Sequence, residues 1–509
     1  MIETRYPSPL EQKVLLQEAP GGQADRVTVA IPSVIAGGEP FTVKLAAVDK
    51  FGYPCVDFDG AVRLVCDGAE PNSIDVAFRP SQPPASAGGY SGEGASAGQP
   101  PAPAGGYSSP AVAMLDGLRI DRPGLFRVTA RLGDREFHSN PACVAERPER
   151  FIYWGDPHVH TVLSDCHPER CRSLNFCYVA ARWLSGLDWV TAADHVSWGR
   201  VSRGKWKDQA AGSDLFNDPP AFVTLPGYEA SLDGGLGGDN NVYMLRWPAA
   251  WADVWDEKGS TRELCEKLAG LLDRSKFFIV PHHTTRTGKH GEIPASIYPG
   301  PEMMPVVEIH SKWGTSEYRG NPNALHQIHP GPSYVADLLA AGLPLGFVGG
   351  TDTHSTMPAG FGHDAGHIDR LPGQTAVIAE RLTREGVFGA IRGRRCYAAS
   401  GERVYLDATV GEAAMGSIVS WTDAARPRTI DVTAGGASDI QSVEIVRNGQ
   451  TIVRHEPGSW QARFTYADED PLGDLWKPSA HVGAFVYYYV RVTCASGAQA
   501  WSSPVWLTR

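Results

Sequence analysis

The stretch "YWGDPHVHTVLSD", residues 153–165, sets His158 and His160 one residue apart at the end of an apolar run, with Asp165 five positions further on. Side chains alternate faces along a strand, so the two histidines lie on one side of it. Two imidazoles on one face at a strand end can chelate one metal ion, and the remaining ligands must then come from elsewhere in the chain.

Five further apolar runs end on such groups. "LDWVTAADH" closes on Asp194-His195, "AFVTLPGYE" on Glu229, "KFFIVPHH" on His282-His283, "MPVVEIH" on His310, and "LPLGFVGGTDTH" on Asp352 and His354. Sixteen histidines in 509 residues carry nothing by number alone. One strand-end histidine is more often a satisfied polar residue at a loop start. Six endings in register favour a shared bowl, because barrels of alternating strands and helices gather their reactive side chains at the C-terminal ends of the strands. Imidazole nitrogens and carboxylate oxygens, with no required thiolate, suit zinc, manganese or iron. Counting one group from each adjacent pair, the nine candidates are too many for one ion and suit two or three.

The elements that must position these residues divide the chain into three parts. From 1 to 150 the reading is a β-sandwich-like domain: "PFTVKLAAVD" and "GLFRVTARL" alternate apolar and polar residues with the period of half-buried strands. A Pro/Gly/Ala/Ser tract at 81–110 interrupts it, with "PPASAGGYS" (83–91) recurring as "PPAPAGGYS" (100–108), and such composition predicts a flexible loop. From 151 to 401 short apolar strands alternate with helical stretches, which predicts a barrel or a doubly wound sheet. "SLNFCYVAARWLSG" carries a helical apolar face, and Thr383 is a candidate N-cap for "REGVFGAIRGRR", with Leu382 and Val387 as its hydrophobic staple. From 402 to 509 a second β-sandwich-like domain is expected, with a hairpin turning at Asn448-Gly449.

The net charge of −11 argues against nucleic acid as the main partner. No run approaches a membrane span, the N-terminus lacks a basic start followed by an apolar stretch, and nine cysteines suit a reducing compartment, so the expectation is a cytoplasmic protein acting on a small molecule. "CHPERCRSLNFC" places Cys166, Cys171 and Cys177 behind the first motif; the spacing matches no standard zinc pattern and reads as packing or free thiols.

Taken in order, "GDPHVHTVLSD", "TAADH", "PGYE", "PHH", "EIHS" and "GGTDTH" resemble the motifs of the PHP (polymerase and histidinol phosphatase) superfamily, and the flanks look like a bacterial PHP-type family of unknown function. The resemblance implies a distorted (β/α)7 barrel over 151–401 with a di- or trinuclear centre. Carried over by position, it implies His158, His160, Glu229 and Asp352 around a first ion. Glu229 would bridge to a second ion completed by His282 and His310, and Asp165, His195 and His354 would hold a third. It implies hydrolysis by a hydroxide shared between ions about 3.5–4 Å apart. Asp165, Glu229, Asp352 and His354 are then the candidate catalytic groups, and Asp156 and Asp194, next to ligands, read either as carboxylates that orient them or as capping and loop carboxylates. Arg286, Lys289, Lys312, Arg319 and His283 are candidate substrate-binding residues, suited to an anionic group. Trp198, Trp313 and Tyr318 could instead wall an apolar substrate. The leading expectation is a small-molecule phosphoesterase; a carboxylic ester or carbamate hydrolase is the alternative, as in carbaryl-hydrolase-like relatives. A non-catalytic glycan- or partner-binding protein is the third reading.

Overall fold

A computed structural model of the chain describes residues 2–56, 58, 60–78, 110–164, 166–196, 203–232, 237–248, 259–286, 291, 295–325, 331–360, 370–423 and 426–509. Asp165, Lys289, Trp198 and all of the 81–110 tract except Pro110 lie outside the described residues.

In the N-terminal part, "PFTVKLAAVD" forms the strand Phe41–Val48, with Phe41, Val43 and Leu45 buried and the residues between them half-exposed. It pairs antiparallel with Arg26–Ala30 on one side and Val112–Ile120 on the other. "GLFRVTARL" keeps its alternation but not its continuity. Gly124–Phe126 pairs with Ala142–Ala145, whereas Thr129–Leu132 pairs with Ala61–Val65 and Arg135–His138. The chain bends between the two pieces and changes sheet while Phe126, Val128 and Ala130 stay in one apolar core.

The middle of the chain overturns the (β/α)7 barrel expectation. The described residues form thirty-three strands against six α-helices, too few helices for seven βα repeats. The ligand-bearing strands are divided among three hydrogen-bonded sheets. Phe151–Val159 runs parallel to Trp189–Ala192 but antiparallel to Gly373–Ala379. Gly227–Ser231, Asp239–Met244 and Phe277–Pro281 form an antiparallel meander, and Val306–Ser311 runs parallel to Gly346–Gly349. The physical reason is that a strand buried on both faces reads as a continuous apolar run whichever direction its neighbour runs.

Local signals are realised where they are self-contained. Ser173 caps the helix Leu174–Trp183, and Thr383 accepts a hydrogen bond from the Gly386 N–H at 3.0 Å to cap Arg384–Arg392. Leu382 and Val387 are buried in the same cluster. Asn448 and Gly449 both take positive φ, 49° and 82°, as a two-residue hairpin turn requires, and Arg447 faces Gln450 across it.

The sheet that holds Phe151–Val159 continues through Gly373–Ala379 and Cys396–Ser400 to Gln499–Ser502 and Gly483–Cys494. It crosses residue 401 without a break in hydrogen bonding. Among the described residues no helix is long and apolar enough to cross a membrane.

Candidate metal centre

Glu229 is the hub. Its Oε2 lies 3.4 Å from His158 Nε2, 3.2 Å from His160 Nε2 and 3.2 Å from His195 Nδ1, and its Oε1 lies 3.0 Å from His282 Nε2. Asp352 forms the opposite wall: Oδ1 lies 3.0 Å from His160 Nε2 and 3.5 Å from His158 Nε2, and Oδ2 lies 2.6 Å from His283 Nε2. All of these side chains are buried or nearly so.

The strands converge through short bridges between their ends. Val159 bridges Thr353, and His195 bridges Glu229. Glycines allow the approach. A Cβ on Gly350 would stand 2.6 Å from the His158 Cβ and 2.7 Å from Glu308 Oε2. His283 and Asp352 are both left-handed, with φ of 50° and 52°, and they contact each other; such backbone is costly outside glycine and collects at sites the surrounding fold over-determines.

Buried carboxylates fix the ligand loops. Asp156 accepts from Thr351 N and Oγ1, His158 N and Ala359 N at 2.7–3.0 Å, tying the first motif to the "GGTDTH" loop. Burial raises it to about 6. Asp194 accepts from Thr161 N, Thr161 Oγ1 and Ser164 Oγ, and Ser164 Oγ is 3.0 Å from His160 Nδ1. This is the carboxylate-to-imidazole support that metal ligands ordinarily carry.

Burial of His158 and His160 disfavours their charged forms, yet the facing carboxylates outweigh it. Asp352 and Glu308 hold His158 well above the ordinary imidazole value, and Asp352 with Glu229 raises His160 to about 10. Glu229 and Asp352 are correspondingly held well below their usual range by the surrounding imidazoles, against burial. Divalent cations fit the same electrostatics: buried carboxylates and clustered imidazoles are a hard-to-borderline donor set that needs positive charge at its centre. The described residues offer several overlapping groups able to hold an ion: His158, His160, Glu229 and Asp352; His158, His282 and Glu308; His282, His283 and Asp352; Glu229, Asp239 and His282; and His160, Cys166, His195 and His354.

His158, His160, His195, Glu229, His282, Asp352 and His354 therefore come together as their motifs implied. His310 does not. Its Nε2 is 2.8 Å from the Leu371 carbonyl oxygen and its ring stacks on Trp501 at 5.6 Å. A register shift between Glu308 and His310 re-aims the strand end, and Glu308 reaches His158 Nδ1 at 3.1 Å instead. Both adjacent histidines of "PHH" enter the cluster, His282 on Glu229 and His283 on Asp352. Sequence reasoning missed Glu308 and Asp239, and it singled out Cys166 only as a packing residue or free thiol. An acidic residue two positions before the strand-end histidine was the available signal for Glu308, and the place of Cys166 directly behind the first motif was its signal; Asp239 had none.

Of the basic candidates, Arg286 lies over the Trp313 ring at 5.0 Å, and Trp313 stands edge-on to His283 and His354 at 5.9 and 6.1 Å. Lys312 is buried, with its N–H on the Thr351 carbonyl. Arg319 turns away, over Tyr334 and onto the Gly331 carbonyl, and Tyr318 packs beneath Arg491.

No protein-family profile matches the chain. It is similar to uncharacterized proteins of Chlamydia pneumoniae (28% identical over 409 residues, 77% of this chain and 64% of the relative) and of Chlamydia trachomatis (34% over 221 residues, 41% and 35%). The chain thus spans less than two thirds of the length of the relatives it matches. Among solved structures, an FMN-binding beta-glucuronidase from Facaelibacterium prausnitzii covers 96% of this chain and 74% of its own at 11% identity, with a TM-score of 0.16. The beta-glucuronidase of Bacteroides uniformis covers 95% and 61% at 8% identity, with a TM-score of 0.17. Likeness at that level carries no argument about this chain.

Proposed function

We propose that the chain is a metal-dependent hydrolase of a small-molecule phosphoester. The observation that carries the reading is Glu229, a buried carboxylate in contact with four imidazoles and faced across His158 and His160 by Asp352. The order of its motifs, which resembles that of the PHP superfamily, supports the same reaction class. When bound, divalent ions would supply Lewis-acid stabilisation of developing charge and a water acidic enough to attack at neutral pH.

The chain's own residues do the rest. Glu229 and Asp352 would hold the ions with His158, His160 and His282, while Asp194 through Ser164 and Glu308 directly keep the His160 and His158 rings oriented. Arg286, held over Trp313 beside His283 and His354, is placed to receive an anionic group. The Trp313 face also favours a second reading, hydrolysis of an aryl ester or carbamate at the same centre.

The test is hydrolysis by zinc- or manganese-loaded protein of nitrophenyl phosphate mono- and diesters, set against a nitrophenyl ester and an aryl methylcarbamate. Phosphate turnover that disappears in His160→Ala is the expected outcome. Ester or carbamate turnover with phosphates untouched would move the substrate class; loaded protein inert on all four would overturn the reading.

A further inference from the structure

Near the mouth of the centre, a group of ligand types departs from the carboxylate–imidazole pattern. The candidate donor atoms of His160, Cys166, His195 and His354 all lie within 4.8 Å of one another. The edge of a tetrahedron built on zinc–nitrogen and zinc–sulfur bonds of about 2.0 and 2.3 Å is roughly 3.5 Å, so small side-chain movements would close the set on an ion. His160 is already committed inward, with Nε2 on Asp352 and Glu229 and Nδ1 on Ser164. His195 touches Glu229 through Nδ1, at 3.2 Å, so it borders both groups; with His354 it flanks Cys166, which supplies the one group of these three that becomes an anion.

The loop carrying Cys166 is fastened to the strand end that carries His354. The Cys171 thiol donates to the His354 carbonyl at 3.2 Å, Arg172 N donates to Thr356 Oγ1 at 2.7 Å, and the His167 ring stands edge-on to His354 at 5.0 Å. Cys166 is therefore held against two imidazoles by independent contacts on the residues that follow it.

We propose that Cys166 joins His195 and His354 at the third position that the motif order implies, making it a thiolate–imidazole position for a zinc-class ion with its fourth position open. The proposal rests on the metal-centre reading above and deepens it by assigning a ligand and a metal preference. On binding, the Cys166 thiol loses its proton to solvent as the sulfur–metal bond forms, with no change of oxidation state. A soft sulfur donor with two imidazoles selects zinc or cobalt over manganese, whereas the carboxylate-rich group around Glu229 and Asp352 does not make that distinction sharply. Three protein ligands and an open position are the arrangement of zinc sites that do chemistry rather than hold structure.

The experiment loads the full chain with Co(II), reduced and under anaerobic conditions, and reads near-ultraviolet absorption and metal content together. The wild-type chain and Cys171→Ser should show an intense thiolate-to-cobalt charge-transfer band. Cys166→Ser should lose the band and retain one ion fewer per chain. Cobalt retained without the band in the wild type, or a band that survives Cys166→Ser, would overturn the thiolate ligand while leaving the Glu229 centre standing. Failure of the wild type to retain any ion would overturn both. Should Cys166→Ser not fold, alkylation of wild-type Cys166 decides the matter: protection by zinc and not by manganese supports the site, and equal modification with and without zinc refutes it.

Discussion

Glu229 can stay ionised while buried only because imidazoles surround it, and those imidazoles are pushed toward the charged form by Glu229 and Asp352 in turn. In the metal-free chain protons do the work that cations would do. Because the His160 value is raised from 6.5 to about 10, its contribution to metal-free stability is fully present below 6.5 and is lost as the pH rises through about 10. A metal must displace the same protons. Metal affinity is therefore expected to rise with pH between 6.5 and 10, with protons released on binding. A zinc titration in weakly buffered solution with a pH indicator reads both, and uptake without proton release would contradict it. At this scale the sequence was legible wherever a ligand follows directly on an apolar run, as at His158, His195, Glu229 and Asp352. It was not legible at His310, because a register shift within "VVEIHS" cannot be seen in letters.

Elements with a closed local rule behave as their residues demand. Thr383 satisfies an orphan N–H of the helix Arg384–Arg392 while Leu382 and Val387 pack across the cap. Thr383→Ala is expected to cost about 1 kcal/mol, measured by denaturant unfolding, and Thr383→Ser to restore most of it. Strand pairing follows no such rule. "LDWVTA" and "KFFIVP" look alike as apolar runs, yet one lies in a parallel pair and the other in an antiparallel one, because partner direction is decided by distant chain. That difference is why alternating strands and helices pointed to a barrel that the sheets do not form.

On the scale of the whole molecule, the centre is tied to the C-terminal strands. Glu317 is buried and accepts from Arg491, from Tyr489 Oη at 2.8 Å and from Trp501 Nε1 at 2.8 Å, while Arg491 also reaches Glu444 at 2.8 Å. Trp501 in turn stacks on His310, in the strand that delivers Glu308. Glu317→Ala would leave Arg491 half-paired in the interior, and a loss of about 3 kcal/mol is expected, with Glu317→Gln losing less. Thermal unfolding of the two variants checks the order; equal stability would show that the network does not brace the fold. None of this was legible beforehand, since an Arg and a Glu separated by 174 residues carry no mark of their pairing.

Trp313 stands edge-on to His283 and His354 with a guanidinium over its face. Nearby cations quench indole emission, so the mouth carries its own optical reporter. Titrating metal into the chain should change fluorescence, and Trp313→Phe should remove most of that change although thirteen other tryptophans remain. A change that persists in the variant would place the responsive indole elsewhere. Occupancy of the centre could then be followed in real time, without label or substrate.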